Sequence, residues 1–210
     1  MAKPKLQLVP PATKNGTVAK AQPPVRPKNE DLREREHLRP EEIERLIEAA
    51  RGNRHGGRDA LMVLMAYRHG LRASEVTDLK WEQVDFDRSE IHVNRLKGGT
   101  PATHPLTGRE LRELRRHKRD SPSSPFVFVY ERGAPLTPPG FNRMVKRAAL
   151  VAKLGIKVHA HMLRHACGFK LANDGIDTRS LQAYLRHSNI QNTARYTALA
   201  SGRFKNFWRD

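Results

Sequence analysis

The stretch HMLRH, from His161 to His165, places two histidines and an arginine three and four residues apart. Residues at these spacings share one face of a helix, so His161, Arg164 and His165 are expected to point together. An arginine binds two oxygens of a phosphate and stays charged, and a histidine can accept or donate a proton. This face could hold a phosphate and move a proton, although the polar side of an ordinary amphipathic helix has the same pattern.

Three further stretches carry residue types that can act on a phosphodiester. The stretch GLRASEV contains Arg72 and, one helical turn later, Glu75. Lys97 lies at the tip of a predicted hairpin, and LRHSNIQNTARYT contains His187 with Tyr196 nine residues further on. A tyrosine can attack phosphorus with a histidine as its base, arginines can stabilise the charged transition state, and a lysine can protonate the leaving alkoxide.

Each of these residues has an ordinary explanation when it is taken alone. Arg72 fits a surface ion pair with Glu75, and a lysine in a turn is usually only solvated. Tyr196 fits the core side of an amphipathic helix. The chemistry would need no divalent metal, and the sequence has neither a carboxylate cluster nor a Cys/His spacing suited to one. We therefore expect no metal and no cofactor.

The charge balance predicts a polyanionic partner. The 210 residues contain 39 Lys and Arg against 22 Asp and Glu, which gives a formal net charge of +17. Nucleic acid is favoured over a membrane, because the longest apolar run, ALMVLMAY, falls far short of the ~20 residues that cross a bilayer. No secretory signal opens the chain, and a single cysteine, Cys167, fits a reducing cytoplasm.

The hydrophobic periodicity predicts a mainly α domain with a small antiparallel β-sheet inserted near its middle, an α+β fold. Pro40 opens a helix, GGRDALMVLMAYRHG follows as a buried central helix, and ASEVTDLKW is a short one. EIHVNRL and PATHPL are predicted to form a hairpin, GRELRELRRHKRD a basic helix, and FVFVY a strand or extended piece. The remaining helices are predicted from Pro138, over His161 to Asn173, over Thr178 to Arg186, and over Asn189 to Ala198.

Three parts of the chain differ in composition. Residues 1–36 are predicted to be a disordered, basic, Pro-rich arm, because they cannot bury enough apolar area to order themselves. Residues 37–202 are predicted to form the folded catalytic domain. Residues 203–210 end in an apolar tip with Phe204, Phe207 and Trp208, which either folds back on its own core or exchanges between subunits.

The ordered set GLRASE, RLKGGT, HMLRH, LRH and RYT resembles the tyrosine recombinase, or phage integrase, family. The stretches YRHGLRASEVTDL, HAHMLRHACG and NTARYTALASGRF more narrowly resemble the short invertases of fimbrial phase variation. The resemblance implies a tyrosine recombinase catalytic-domain fold over roughly residue 38 to the C-terminus. It also implies double-stranded DNA as the partner and a homo-oligomer, a tetramer, on that DNA.

The resemblance implies a role for each matched residue. Arg72 and Arg164 would bind the non-bridging oxygens of the scissile phosphate, and Lys97 would protonate the leaving 5′ oxygen. His161 would assist proton transfer at the nucleophile, and His187 would hydrogen-bond the phosphate. Tyr196 would attack and remain joined to the 3′ phosphate, with Glu75 and His165 in supporting positions.

One position departs from the family pattern, which has glycine before the second histidine. Arg186 stands there in this chain. Glycine tolerates a positive φ and allows a close backbone approach. Arginine could strain the turn, crowd the DNA or add a phosphate contact.

Three functions remain open at this point. The first is a site-specific recombinase that inverts, excises or integrates DNA through a 3′-phosphotyrosine. The second is a topoisomerase-like enzyme that nicks and reseals one duplex. The third is a DNA-binding regulator without catalysis, which the filled catalytic positions argue against.

Overall fold

The computed structural model describes residues 35–93, 102–121 and 123–198. Lys97, most of the predicted N-terminal arm and the predicted exchange segment at 203–210 lie outside these ranges. In the described part of the chain, no helix is both long and apolar enough to cross a bilayer.

Eight α-helices and a three-stranded antiparallel sheet make up the described fold, as the predicted fold class requires. The helices are α1 (Pro40–Arg51), α2 (Gly56–Arg68), α3 (Ala73–Thr77), α4 (Gly108–Asp120), α5 (Pro138–Val151), α6 (His161–Asn173), α7 (Thr178–Leu185) and α8 (Gln191–Ala198). The strands are β1 (Val84–Asp85), β2 (Glu90–Val93) and β3 (Ala102–Pro105), in the order β1-β2-β3.

Helix α2 forms the centre of the core, as its continuous apolar sequence predicts. Every residue from Ala60 to Ala66 is buried, so the helix has apolar neighbours on all sides. Helix α1 packs against it through Ile43, Leu46 and Ile47. Helix α2 ends at Arg68, and Arg72 follows after a short turn. Because α2 is held in the core, it fixes the position of this turn.

The hairpin β2–β3 is confirmed over its described residues, with Ile91 opposite His104. Strand β1 is only two residues long and pairs Val84 with Ile91, a pairing that periodicity did not predict. The stretch FVFVY forms no named strand. It is an extended segment that makes an isolated bridge between Phe126 and Lys80, and it buries Phe128.

A buried polar cluster ties the hairpin to the helices around it. The Nδ1 atoms of His69 and His104 lie 3.2 Å apart, and Nε2 of His69 lies 3.0 Å from a carboxylate oxygen of Glu110. The ring of His104 stacks on Tyr184 of α7 with centroids 3.9 Å apart. Burial, reinforced by the neighbouring His69, lowers the pKa of His104 to about 3. His104 is therefore neutral at neutral pH.

This burial predicts a loss of stability in mild acid. An unfolded chain protonates His104 below its ordinary pKa of 6.5, whereas the folded protein does so only near pH 3. The stability from neutral His104 is complete above pH 6.5 and is lost progressively as the pH falls towards 3. Between pH 7.5 and 5.0, we expect the free energy of unfolding in urea to fall by about 2 kcal/mol more in the wild type than in His104→Gln. Parallel losses in the two proteins would contradict this account.

Candidate active site

Arg164 joins three elements at the centre of the site. Its side chain, 1% exposed, donates from Nη1 to the carbonyl of Gly70, before α3, and from Nη2 to the carbonyl of Leu185, at the end of α7. Burial, followed by the charge of Arg72, lowers the pKa of Arg164 to about 10, so it stays a cation at neutral pH. The residue thus fixes two loops against α6 and places a positive charge between them.

Glu75 supplies the buried negative charge that faces these arginines. One carboxylate oxygen accepts from the backbone N–H of Arg72 at 2.8 Å and from Nη2 of Arg186 at 3.0 Å. The other accepts from Nη1 of Arg72 at 2.8 Å. Burial alone would raise the pKa of Glu75, but the Arg72 hydrogen bond and the charges of Arg186, Arg72 and Arg164 lower it. Glu75 is therefore ionised, and its two hydrogen bonds with Arg72 hold that residue in place.

Arg186 adopts the conformation that glycine would tolerate better. Its φ is 54°, in the left-handed region, where a side chain costs about 1–2 kcal/mol. Its side chain turns inward to Glu75 and is buried. Of the three consequences expected from the sequence, the structure shows the strained turn. It also shows the internal ion pair between Arg186 and Glu75, which the sequence did not indicate.

Tyr196 is held by α6. Its side chain is 1% exposed, and its hydroxyl and Nδ1 of His165 form a 2.8 Å hydrogen bond. The phenol ring lies on Gly168, where an added Cβ would stand 2.8–2.9 Å from three ring carbons. Phe169 meets the ring edge-on with centroids 5.1 Å apart. Because Gly168 has no side chain, the phenol can lie directly on the helix.

Three histidines surround the phenol. His165 is the histidine hydrogen-bonded with Tyr196, while His161 meets the His165 ring edge-on, with centroids 4.5 Å apart. The His187 ring lies 6.2 Å from the Tyr196 ring, and its Nδ1 is 2.8 Å from the hydroxyl of Thr193.

All three rings are neutral in the protein without bound phosphate. The pKa is lowered to about 4 for His161, about 3 for His187 and about 2 for His165, and burial is the largest cause in each. The charge of Arg164 is the next cause for His161 and His187. Burial and the neighbouring positive charges together keep the three rings neutral.

The structure brings together seven of the eight residues that the sequence singled out: Arg72, Glu75, His161, Arg164, His165, His187 and Tyr196. Lys97 lies outside the described residues. One neighbour of the phenol was missed: Nη2 of Arg195 lies 2.9 Å from Nδ1 of His165 and 3.3 Å from the Tyr196 hydroxyl oxygen. A cation directly before the tyrosine was the only sequence signal for it.

The arrangement of two arginines, histidines and a buried tyrosine on this helical fold defines a tyrosine recombinase, a class of enzyme that cleaves and rejoins DNA. The model of the phage integrase family matches residues 36–203. The chain belongs to this family, which confirms the resemblance and the fold that it implied.

Individual relatives agree with this assignment. Type 1 fimbriae regulatory protein FimB of Escherichia coli K12 is 39% identical over 183 residues, which cover 85% of this chain and 92% of that protein. Tyrosine recombinase XerA of Pyrococcus furiosus is 34% identical over 172 residues, covering 80% of this chain and 59% of that protein.

Solved structures share the fold. A crystal structure of XerA recombinase matches with a TM-score of 0.70 at 26% identity, over 81% of this chain and 63% of that one. A structure of XerH recombinase bound to its difH substrate matches with a TM-score of 0.68 at 23% identity, over 78% of this chain and 50% of that one. The chain therefore spans most of the fimbrial relative but less than two thirds of these recombinases.

The buried charge cluster predicts strong coupling between Glu75 and Arg186. Glu75→Gln leaves buried guanidinium groups without their counter-charge, and we expect it to lower the free energy of unfolding by about 3 kcal/mol. Arg186→Gly relieves the left-handed strain but removes the partner of Glu75. We expect the two single variants and the double variant to form a coupled cycle in urea unfolding. The free energy of unfolding lost in the double variant should be smaller than the sum of the two single losses by at least about 1.5 kcal/mol.

The exposed pair Lys170–Asp174 on α6 is the matched control for this cycle. Solvent screens it, so Lys170→Gln and Asp174→Asn should couple by no more than about 0.5 kcal/mol. If the Glu75–Arg186 coupling were equally small, the two residues would not form the charge balance described above.

Proposed function

We propose that this protein is a site-specific recombinase that cleaves and rejoins double-stranded DNA through a covalent bond between Tyr196 and a 3′ phosphate. The observation that carries the proposal is the hydrogen bond between the Tyr196 hydroxyl and His165 in a site that also holds Arg72 and Arg164. This set combines a nucleophile, a proton acceptor and two phosphate-binding cations, which are the parts that the reaction needs.

Arg72 and Arg164 are proposed to bind the scissile phosphate. A guanidinium has five N–H donors, and Arg164 uses two of them on the carbonyls of Gly70 and Leu185, which leaves three for phosphate oxygens. Arg72 keeps 34% of its side chain exposed, so it can meet the DNA directly. Both would stabilise the negative charge that gathers on the equatorial oxygens in the transition state.

The bound phosphate is proposed to switch on the bases. Its negative charge offsets the cations that hold the pKa values of His165 and His187 low, so both rings become more basic when DNA is present. His165 then takes the phenol proton, and His161, which packs against it, assists. His187, whose Nδ1 is engaged by Thr193, would hydrogen-bond the phosphate through Nε2. Lys97 is proposed, on the resemblance, to protonate the leaving 5′ oxygen.

A phosphotyrosine conserves the energy of the broken bond, so a 5′ hydroxyl from another strand can attack it without ATP.

Exchange between two duplexes requires several protomers, and we propose a tetramer on DNA, with residues 203–210 as the segment exchanged between subunits. Relatives of known structure include a XerH recombinase bound to difH substrate and a lambda integrase dimer bound to a core site. We propose the cytoplasm as the location, since a reaction on DNA and a single cysteine, Cys167, both fit it.

The exposed face of α4 is proposed to contact phosphates outside the cleavage site. It carries the cations Arg112, Arg115, Arg116, Lys118 and Arg119. Each cation that neutralises a phosphate releases counterions, so affinity should fall steeply with added salt. These contacts would position the protein without reading the sequence.

A nicked suicide substrate from the native locus tests the covalent step. Cleavage should release a short strand and trap a protein–DNA adduct, and EDTA should not prevent it because the arginines supply the charge. Tyr196→Phe should abolish the adduct completely. Tyr130→Phe, at an exposed tyrosine outside the site, should leave it unchanged.

The outcomes separate the three functions. An adduct together with exchange between paired sites supports the recombinase. Relaxation of a supercoiled plasmid that lacks paired sites would identify a topoisomerase-like enzyme instead. DNA binding with no adduct on any sequence from the locus would identify a regulator without catalysis.

A further inference from the structure

Arg195 touches both ends of the hydrogen bond between the phenol and the imidazole. Its Nη2 atom lies 2.9 Å from Nδ1 of His165 and 3.3 Å from the hydroxyl oxygen of Tyr196. Its Cζ atom lies 5.1 Å from the centre of the Tyr196 ring. Arg195 precedes the tyrosine in the RYT stretch, but the resemblance assigns it no role, and the roles proposed so far leave it without a task.

Arg195 lies over the face of the His165 ring. Its Nη2 atom is 2.9 Å from Nδ1 and 3.4 Å from Nε2. A donor on the in-plane lone pair of Nδ1 would lie much farther from Nε2, so Arg195 leaves that lone pair to the phenol. The Tyr196 hydroxyl, 2.8 Å from Nδ1, can therefore donate to it and pass its proton there.

The same guanidinium lies where negative charge develops. Once the phenol proton has moved to Nδ1, this nitrogen can only donate. The Tyr196 oxygen, 3.3 Å from Nη2, is then an anionic acceptor. A hydrogen bond between two charged groups is roughly twice as strong as a neutral one, so the change favours the phenolate.

We infer that Arg195 is a catalytic residue, which stabilises the Tyr196 phenolate during attack. The inference rests on the proposed function. In cleavage the Tyr196 oxygen–phosphorus bond forms and the phosphorus–O5′ bond breaks. The phenol proton passes to Nδ1 of His165, and the departing 5′ oxygen takes a proton from Lys97. Rejoining reverses each step, so Arg195 accelerates both directions.

Charged and titratable groups face the phenol from several elements. They are His161, Arg164 and His165 on α6, Arg72 at the start of α3, His187 after α7, and Arg195 on α8. Arg195 is the member of this set that contacts both the Tyr196 oxygen and Nδ1 of His165. Its replacement therefore has a specific effect on the ionisation step.

Single-turnover cleavage of the suicide substrate at saturating protein tests the inference. We expect Arg195→Gln to slow cleavage about 100-fold at pH 7, as the loss of one charge-stabilising donor does in other active sites. Arg195→Lys, which keeps the charge, should recover part of the rate. Arg88→Gln is the matched control: it removes an exposed arginine between β1 and β2 and should stay within about twofold of the wild type.

The pH dependence separates a catalytic role from a structural one. At higher pH hydroxide can remove the phenol proton, so the deficit of Arg195→Gln should shrink between pH 7 and 9. On a reversible substrate, the fraction of DNA held as adduct at equilibrium should be unchanged, because both directions slow equally. Unfolding midpoints of the variants should match that of the wild type, since Arg195 is exposed.

Two results would overturn the inference while the wild type still forms its adduct. One is Arg195→Gln cleaving at the wild-type rate. The other is a deficit that is the same at every pH, which would assign Arg195 a structural role. If the wild type formed no adduct at all, the proposed function would fail first, and the inference with it.

Discussion

One buried carboxylate balances the positive charge of the site. Glu75 accepts hydrogen bonds from Arg72 and Arg186, and its charge also acts on the buried Arg164. Three guanidinium groups this close would repel one another strongly in a buried environment without a counter-charge. The balance is incomplete, because one negative charge faces three positive ones. The site therefore keeps an excess of positive charge, which attracts a further anion.

That excess of charge acts together with burial on the bases of the site. Burial first, and then the neighbouring charges, keep His161, His165 and His187 in their neutral forms. A phosphate diester carries one negative charge and would enter between Arg72 and Arg164. On the proposed function, the phosphate that is cleaved would therefore also make the neighbouring histidines more basic.

Local sequence patterns were sufficient for the helices, and tertiary contacts decided much of the rest. Helices α1, α2 and α5 could be predicted because proline starts and apolar periodicity are local signals. The two-residue strand β1 could not, since its pairing depends on the hairpin beside it. The inward turn of Arg186 depends on Glu75, 111 positions away in the sequence. The contact of Arg195 with His165 likewise depends on how α8 packs on α6.

Arg164 has a structural duty that is independent of any substrate. Its two hydrogen bonds to backbone carbonyls hold the turn at Gly70 and the end of α7 on α6. Tyr196 has no comparable task, since its hydroxyl binds only side chains among the contacts described. A descendant that bound DNA without catalysis would still need Arg164 in order to fold, so selection would preserve it. The same descendant would tolerate phenylalanine in place of Tyr196.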